Sequence, residues 1–416
     1  MTPNAPCTLL AILAALTATT AVAAGTASVE FNNAGVQAYN QGLYDEAIGY
    51  FEKARNGSAD QSVVKRNLCN AHQSMGNNLA KKGDYRGAVR HADSAAALDP
   101  ENPSPLVQAG AYYLRLDEVN LAIEKLEKAI TVKPGELTAH EMLGYAYYRD
   151  NDLSSARAQW DYVLEMDPKR PELRERYDKA FREQSVENDF DRYKSRHFQV
   201  SYPPEIPGSL RSQVIGILDH AYVEIGRQFG GVYPPSPIYV ILYDAKQFAE
   251  ATNSADYVGA LYDGKIRTPL MDSSGNWLPI DELRRRLTHE YVHVVVKHIT
   301  GEEPPWWVNE GLAETLSRTL DSERIKTLQR LFREGGPPSL KGLEATQIGK
   351  LDKDSVGQAY VQAHATVDLL WSRYGKSKMV TLLQSMGKGK KLDEALRDVY
   401  RKTYGAIERD VANTYG

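Results

Sequence analysis

The feature that most limits what this chain can fold into is an internal period. Gly76, Gly110 and Gly144 stand 34 residues apart, and the same interval separates Ala88, Ala122 and Ala156, then Pro100, Pro134 and Pro168. An earlier unit carries Gly35, Ala47, Phe51 and Ala54 at the same internal offsets. It lies 41 residues upstream, and the surplus falls in the polar stretch Asn56-Gly57-Ser58-Ala59-Asp60. A fixed period of this length means a stack of small units, each burying its apolar face only against its neighbours. Small residues at matching offsets let two short helices approach closely. Proline ends each unit because it cannot continue a helix. Four units make a stable stack, and Pro171 to Gln184 reads as a helix that caps it.

The repeated residues resemble the tetratricopeptide repeat family, and the resemblance covers Ala27 to Arg170. It departs at position 92, where Ala stands in place of the larger residue usual there. The resemblance implies an all-α solenoid over residues 27–184, capping helix included. Its concave face is then a surface for a protein partner or a protein substrate.

The rest of this 416-residue chain is long enough for a second domain. From about Asn188 the pattern turns to mixed α and β. Phe198 to Tyr202 alternates like a short strand, Leu210 to Phe229 has helical apolar spacing, and Ile238 to Tyr243 is a β-branched run fit for a buried strand. Val258 to Leu270 reads as a strand or hairpin broken by Gly259 and Gly264. Helices follow from Asp281 to the end. Strands followed by helices predict an α+β domain over residues 188–416.

Composition bounds the function classes. With 42% hydrophobic and 25% charged residues, nothing suggests extended disorder. A net charge of -4 gives no strong attraction to nucleic acid or to acidic membranes. Thr8 to Ala24 is uncharged and rich in Ala, Leu and Thr, and Ala21-Val22-Ala23-Ala24 suits small-residue cleavage. Residues 1–24 therefore read as a secretory signal peptide, although no Lys or Arg precedes the apolar run. The mature protein is expected outside the cytoplasm, periplasmic or extracellular. No other stretch reaches about 18 apolar residues, so no stable membrane span is expected. Cys7 lies in the signal, which leaves Cys69 to pack as a small apolar residue.

The chemistry is concentrated downstream. His289-Glu290-Tyr291-Val292-His293 is an HExxH motif on a predicted helix. A spacing of four places the imidazoles one turn apart on one face, where both meet one metal ion. Glu290 lies beside that face, within reach of a water held by the metal. With sixteen residues between it and His293 comes Glu310, within Trp306-Trp307-Val308-Asn309-Glu310-Gly311-Leu312-Ala313-Glu314. Hydrolytic zinc wants three protein ligands and one open position, and Glu310 supplies the third. Glu314 lies one turn further, placed to bond a ligand imidazole and fix its tautomer. Gly311 and Ala313 allow close helix packing around the metal.

These two motifs resemble the gluzincin metallopeptidases, among them thermolysin, the aminopeptidase N family and the peptidase MA-like group. The resemblance spans most of Ser195 to Tyr415 and is strongest in the two motifs. It implies a thermolysin-like zincin fold, one Zn2+ per chain, ligands His289, His293 and Glu310, and Glu290 as the base. In aminopeptidase N-like enzymes a tyrosine opening a downstream helix stabilises the oxyanion. Tyr360 is its counterpart here, with Gly375 closing the segment. His364, one turn beyond Tyr360, is a second candidate for that role, since thermolysin uses a histidine. The alternative for His364 is a buried, hydrogen-bonded histidine. The aminopeptidases also carry a Gly-x-Met-Glu-Asn strand that holds the substrate's free amine. Val258-Gly259-Ala260-Leu261-Tyr262 occupies a comparable place without the acid, which favours an endopeptidase. The remaining histidines, 72, 91, 140, 197, 220 and 298, show no ligand spacing. Arg284-Arg285-Arg286 reads as a solvated helix face. The competing reading of the whole chain is a repeat-based binding protein in which the peptidase fold is a scaffold.

Overall fold

In a computed structural model of the chain, residues 26–57, 61–253, 260–345 and 351–416 are described. The signal-peptide reading of residues 1–24 lies outside them, as do Cys7, Val258 and Gly259. The chain divides into two compact units. One comprises the described residues up to Asp150 with Ala158–Lys169, and the other comprises Asn151–Arg157 with Arg170–Gly416.

The first unit is a run of antiparallel helices. These are α1 (residues 26–40), α2 (Tyr44–Arg55), α3 (Gln61–Lys81), α4 (Tyr85–Leu98), α5 (Ser104–Arg115), α6 (Val119–Val132), α7 (Leu137–Arg149) and α8 (Leu153–Met166). Pro100, Pro134 and Pro168 each stand two residues past the end of α4, α6 and α8. The repeated glycines explain the period. A Cβ on Gly35 would lie 2.5 Å from the Phe51 ring, one on Gly110 would lie 2.6 Å from Leu126, and one on Gly144 would overlap the Trp160 indole. Each glycine thus receives the large residue sixteen positions later, and Phe51, Leu126 and Trp160 are all buried. In the second unit of the repeat that large residue is Ala92. The space beside Gly76 is filled instead by the Ala88 carbonyl and the Tyr112 hydroxyl, which donates to Asn77 at 2.6 Å. Cys69 is 1% exposed, and burial pushes its thiol pKa up, against the Gln73 hydrogen bond. It packs as an apolar residue. His72 and His91 share a hydrogen bond between their Nδ1 atoms at 2.9 Å.

Besides Asn151–Arg157, with the first residues of α8, the second unit contains α9 (Pro171–Glu187), the helix expected to cap the array. Its glutamates are committed within this unit. Glu183 and Glu187 are buried and grip Arg267 at 2.8 Å each, and Tyr243 donates to Glu187. Arg267 is 0% exposed. A buried guanidinium needs this matching of charge and donors.

Among the described residues the sheet has five strands, β1 (Asp191–Lys194), β2 (Phe198–Tyr202), β3 (Ile238–Tyr243), β4 (Leu261–Tyr262) and β5 (Ile266–Pro269). Their order is β1-β2-β3-β5-β4. The inner pairs β2–β3 and β3–β5 are parallel, and the outer pairs are antiparallel. Parallel pairing requires crossovers, which α10 (Gly208–Gln228) and α11 (Ala245–Thr252) supply. The alternation in 198–202, the apolar run in 238–243 and the helix over 210–229 are therefore real elements. The hairpin over 261–269 turns at Gly264, whose φ of +105° suits glycine. β1 has no counterpart in the sequence reading. All four of its residues are exposed, so it lacks the alternation that marks a half-buried strand.

Helices α12 (Ile280–Thr300), α13 (Trp306–Ser317), α14 (Ser322–Arg333), α15 (Leu340–Ala345) and α16 (Lys353–Tyr374) follow. Then come α17 (Lys376–Gly387), α18 (Leu392–Tyr400) and α19 (Tyr404–Tyr415). The core runs from Val200, Val240 and Ile266 on the sheet to Tyr291, Val292 and Val295 on α12. Arg284 is solvated as expected, but Arg285 and Arg286 are not. Both pair with Glu282, at 2.6 and 2.7 Å, and are only partly exposed. The spacings of three and four from Glu282 bring them onto its face.

Candidate active site

The HExxH residues lie in the second half of α12, which packs against β5, β4 and α13. Its periodicity turns Tyr291, Val292 and Val295 into the core and leaves His289 and His293 on one face, ring centroids 4.9 Å apart. Pro305 starts α13, which delivers Glu310 to the same place. Glu310 Oε2 stands 3.3 Å from His289 Nε2, and Oε1 stands 3.7 Å from His293 Nε2. The three side chains are 11%, 8% and 14% exposed. One donor atom each from His289, Glu290 and His293 also falls within a 4.8 Å cluster.

The spacing can be tested against a metal. Two ligands at about 2.0–2.1 Å from a tetrahedral ion lie roughly 3.3 Å apart. The Glu310–histidine separations are close to that value. Of the opposite ring nitrogens, that of His293 is hydrogen-bonded and that of His289 lies near a carboxylate without a hydrogen bond. His293 Nδ1 shares a hydrogen bond with Asn309 Oδ1 at 3.0 Å, and His289 Nδ1 faces Glu314 Oε1 at 3.5 Å. Both rings therefore present Nε2 to one point, with nitrogen, nitrogen and carboxylate donors of the kind zinc takes.

Close approach of the helices makes this possible. A Cβ on Gly311 would lie 2.6 Å from the Ala363 carbonyl and closer still to Val367, so only glycine lets α13 lie against α16 here. That contact brings Tyr360 to the site. Its hydroxyl lies beside the Glu310 carboxylate and helps hold its charge, and its ring meets Trp306 edge to face at 4.9 Å. Tyr360 does not open its helix. The Asp352 side chain caps α16 by accepting from the Asp354 and Ser355 amides, so the helix starts earlier and Tyr360 lies in its second turn.

The electrostatics fit the geometry. Burial pushes the Glu290 carboxyl up to about 7, with His289 pulling it down and Glu310 reinforcing the rise. For Glu310 burial also opposes ionisation, but His293, His289 and the Tyr360 hydroxyl hold it below its usual value. Burial and the charge on Glu310 raise the Tyr360 phenol well above its usual range. Two neighbouring carboxyls are thus driven in opposite directions, the condition under which one can carry a proton while the other stays charged.

His364 is 0% exposed and lies on the Glu314 side. Its Nδ1 accepts from Arg324 at 3.1 Å, and burial together with Arg324 lowers its pKa to about 4. Three participants have no role in the sequence reading. Arg318 is four residues after Glu314 and was reachable by helical spacing. Asn309 is adjacent to Glu310, a candidate ligand. Arg324 lies on another helix, where no spacing marks it.

Comparison with known families agrees with this build. Residues 227–414 match the peptidase MA superfamily, and residues 107–171 match the tetratricopeptide repeat. The chain therefore joins tetratricopeptide repeats to a peptidase MA superfamily domain. Stress-induced-phosphoprotein 1 of Caenorhabditis elegans is 25% identical over 160 residues, which is 38% of this chain and 48% of that protein. Hsp70-Hsp90 organizing protein 2 of Arabidopsis thaliana is 25% identical over 122 residues, 29% of this chain and 21% of that protein. The chain thus spans less than half the length of either relative. Among solved structures, the first repeat domain of human RPAP3 is 23% identical with a TM-score of 0.27, covering 27% of this chain and 89% of that one. MamA from Desulfovibrio magneticus RS-1 is 23% identical with a TM-score of 0.30, covering 38% and 84%.

Proposed function

We propose that this protein is a zinc-dependent endopeptidase with a thermolysin-like catalytic domain, exported from the cytoplasm, whose repeats recruit a protein substrate or partner. The observation that carries this reading is the convergence of His289 Nε2 and His293 Nε2 on the two oxygens of Glu310, with the Glu290 carboxyl buried beside them. His289, His293 and Glu310 would hold the ion. Bound zinc supplies a Lewis acid that acidifies water and polarises a carbonyl.

Glu290 takes the proton of the attacking water and passes it to the leaving amine. A carboxyl poised near 7 suits both transfers. Tyr360 donates a hydrogen bond to the oxygen on which negative charge develops. Endopeptidase action is supported by the sheet edge. β4 is an outer strand packed beside α12, and Leu261 and Tyr262 carry no acid to hold a free amine. An extended peptide can add to such an edge through main-chain hydrogen bonds. Export rests on the signal-like residues 1–24. Among the described residues no helix is long and apolar enough to cross a membrane.

Metal analysis tests the reading. The purified chain should carry close to one zinc, and His293→Ala should lose most of it. Stoichiometric zinc in that variant would refute the ligand set.

A further inference from the structure

Glu314 uses its two oxygens differently. Oε1 faces His289 Nδ1 at 3.5 Å. Oε2 meets Arg324 Nη1 at 2.7 Å and Arg318 Nε at 3.2 Å. The carboxylate is only 4% exposed. Arg318 is the residue that ends the same helix, four positions after Glu314. Arg324 comes from α14, whose first turn is fixed because the Asp321 side chain accepts from the Arg324 amide. Arg324 Nη1 also donates to His364 Nδ1 on α16 at 3.1 Å. A guanidinium has donors and no acceptor, so His364 offers a lone pair at that atom. Side chains of four helices thus stand in a row: a hydrogen bond from Arg324 to His364, an ion pair between Arg324 and Glu314, and the 3.5 Å approach of Glu314 to His289, which is not a hydrogen bond.

Burial alone would not orient Glu314. The terminal torsion of a glutamate is broad and roughly two-fold, so either oxygen could face either neighbour. An ionised carboxylate at this depth is also costly unless it is paired. Two guanidinium groups meet both needs. They supply the counter-charge and occupy Oε2, which leaves Oε1 for His289. A ligand imidazole is turned and fixed in its tautomer by the partner of its other nitrogen. We infer that Arg324 is a positioning residue of the metal site: held by His364, it orients the Glu314 carboxylate, which in turn aims His289 Nε2 at the point shared with Glu310. The inference rests on the metal-site reading of His289, His293 and Glu310, and not on peptide cleavage.

The test is zinc affinity, measured on the full chain by competition with a chromogenic chelator, alongside the visible spectrum of the Co2+ form. Arg324→Gln should weaken zinc binding by about 10–100-fold and change the Co2+ band. In a Glu314→Gln background the same substitution should add less than about twofold. A folded Arg324→Gln protein with unchanged affinity and spectrum overturns the inference, and so do equal losses in both backgrounds. If Arg324→Gln does not fold, Arg324→Lys carries the test, since it keeps the charge and loses the planar fork. Weakened zinc binding then supports the inference, and wild-type binding overturns it. His293→Ala runs in parallel. Unchanged affinity there sinks the metal site and this inference with it. A chain that passes these tests yet cleaves no peptide leaves the inference standing and removes only the proposed activity.

Discussion

The Tyr360 hydroxyl lies beside Glu310, the carboxylate whose two oxygens face His289 and His293, and helps hold its charge. A phenol so placed is one short rearrangement from an oxygen bound at the same centre. A donor that acts only as charge develops lowers the barrier and adds little to ground-state binding. Tyr360→Phe keeps the ring against Trp306. It should reduce kcat by about 10²–10³-fold with little change in KM. Zinc content and Tm should hardly move. A collapsed Tm with a normal rate per folded molecule would make Tyr360 a core residue instead.

The repeat glycines give a prediction with a built-in contrast. A Cβ on Gly144 overlaps the Trp160 indole, whereas one on Gly76 meets nothing nearer than the Ala88 carbonyl at 3.2 Å. Gly144→Ala should destabilise the array by about 1–3 kcal/mol, the usual cost of overpacking. Gly76→Ala should change it by less than about 1 kcal/mol, since the tight contact is offset by better helix propensity. Urea unfolding of residues 26–169 measures both, because repeat arrays are held by neighbour contacts. Equal effects would contradict the account of the period.

How far the sequence was legible follows from what produces each signal. The array showed itself because three of its four units repeat one packing demand, a glycine against a large residue sixteen positions on. Ala92 broke the pattern, and Tyr112 fills the gap from the next unit. The two motifs of the candidate site were legible because helical spacing sets which donors share a face. Asn309 and Arg324 carried no such mark, since their partners are reached through space and across helix breaks. The start of α16 was misplaced because its Asp352 cap stands eight residues before Tyr360. β1 was invisible because a fully exposed strand has no alternation to read.

The buried ion cluster around Arg267 should matter to stability. Arg267→Met leaves Glu183 and Glu187 buried without their main counter-charge. Breaking one partner of a buried pair costs about 3–5 kcal/mol. Thermal melting of the second unit should show that loss. A change below about 1 kcal/mol would mean that the cluster relaxes to admit water.

His364 makes stability depend on pH in a definite direction. Its pKa in the folded chain is about 4, against 6.5 for an ordinary histidine. Between those values the unfolded chain holds the proton and the folded chain does not, so stability rises with pH there. The contribution is present above 6.5 and is lost as pH falls through 4. It amounts to roughly 3 kcal/mol if the full shift is expressed. Relative to His364→Gln, the wild type should therefore lose ground steadily on acidification from pH 6.5 to 4. A stability difference that stays constant across that range would mean that His364 takes up its proton equally in the folded and unfolded chain.

The central claim is that Glu290 moves the proton while the two histidines and Glu310 hold the metal. Glu290→Gln keeps the shape of the side chain but cannot accept a proton. The decisive measurement is zinc content and peptide-library cleavage on that variant side by side. The account predicts stoichiometric zinc with cleavage reduced at least ~100-fold, the usual contribution of a general base. Undiminished cleavage by a zinc-loaded Glu290→Gln protein would contradict it.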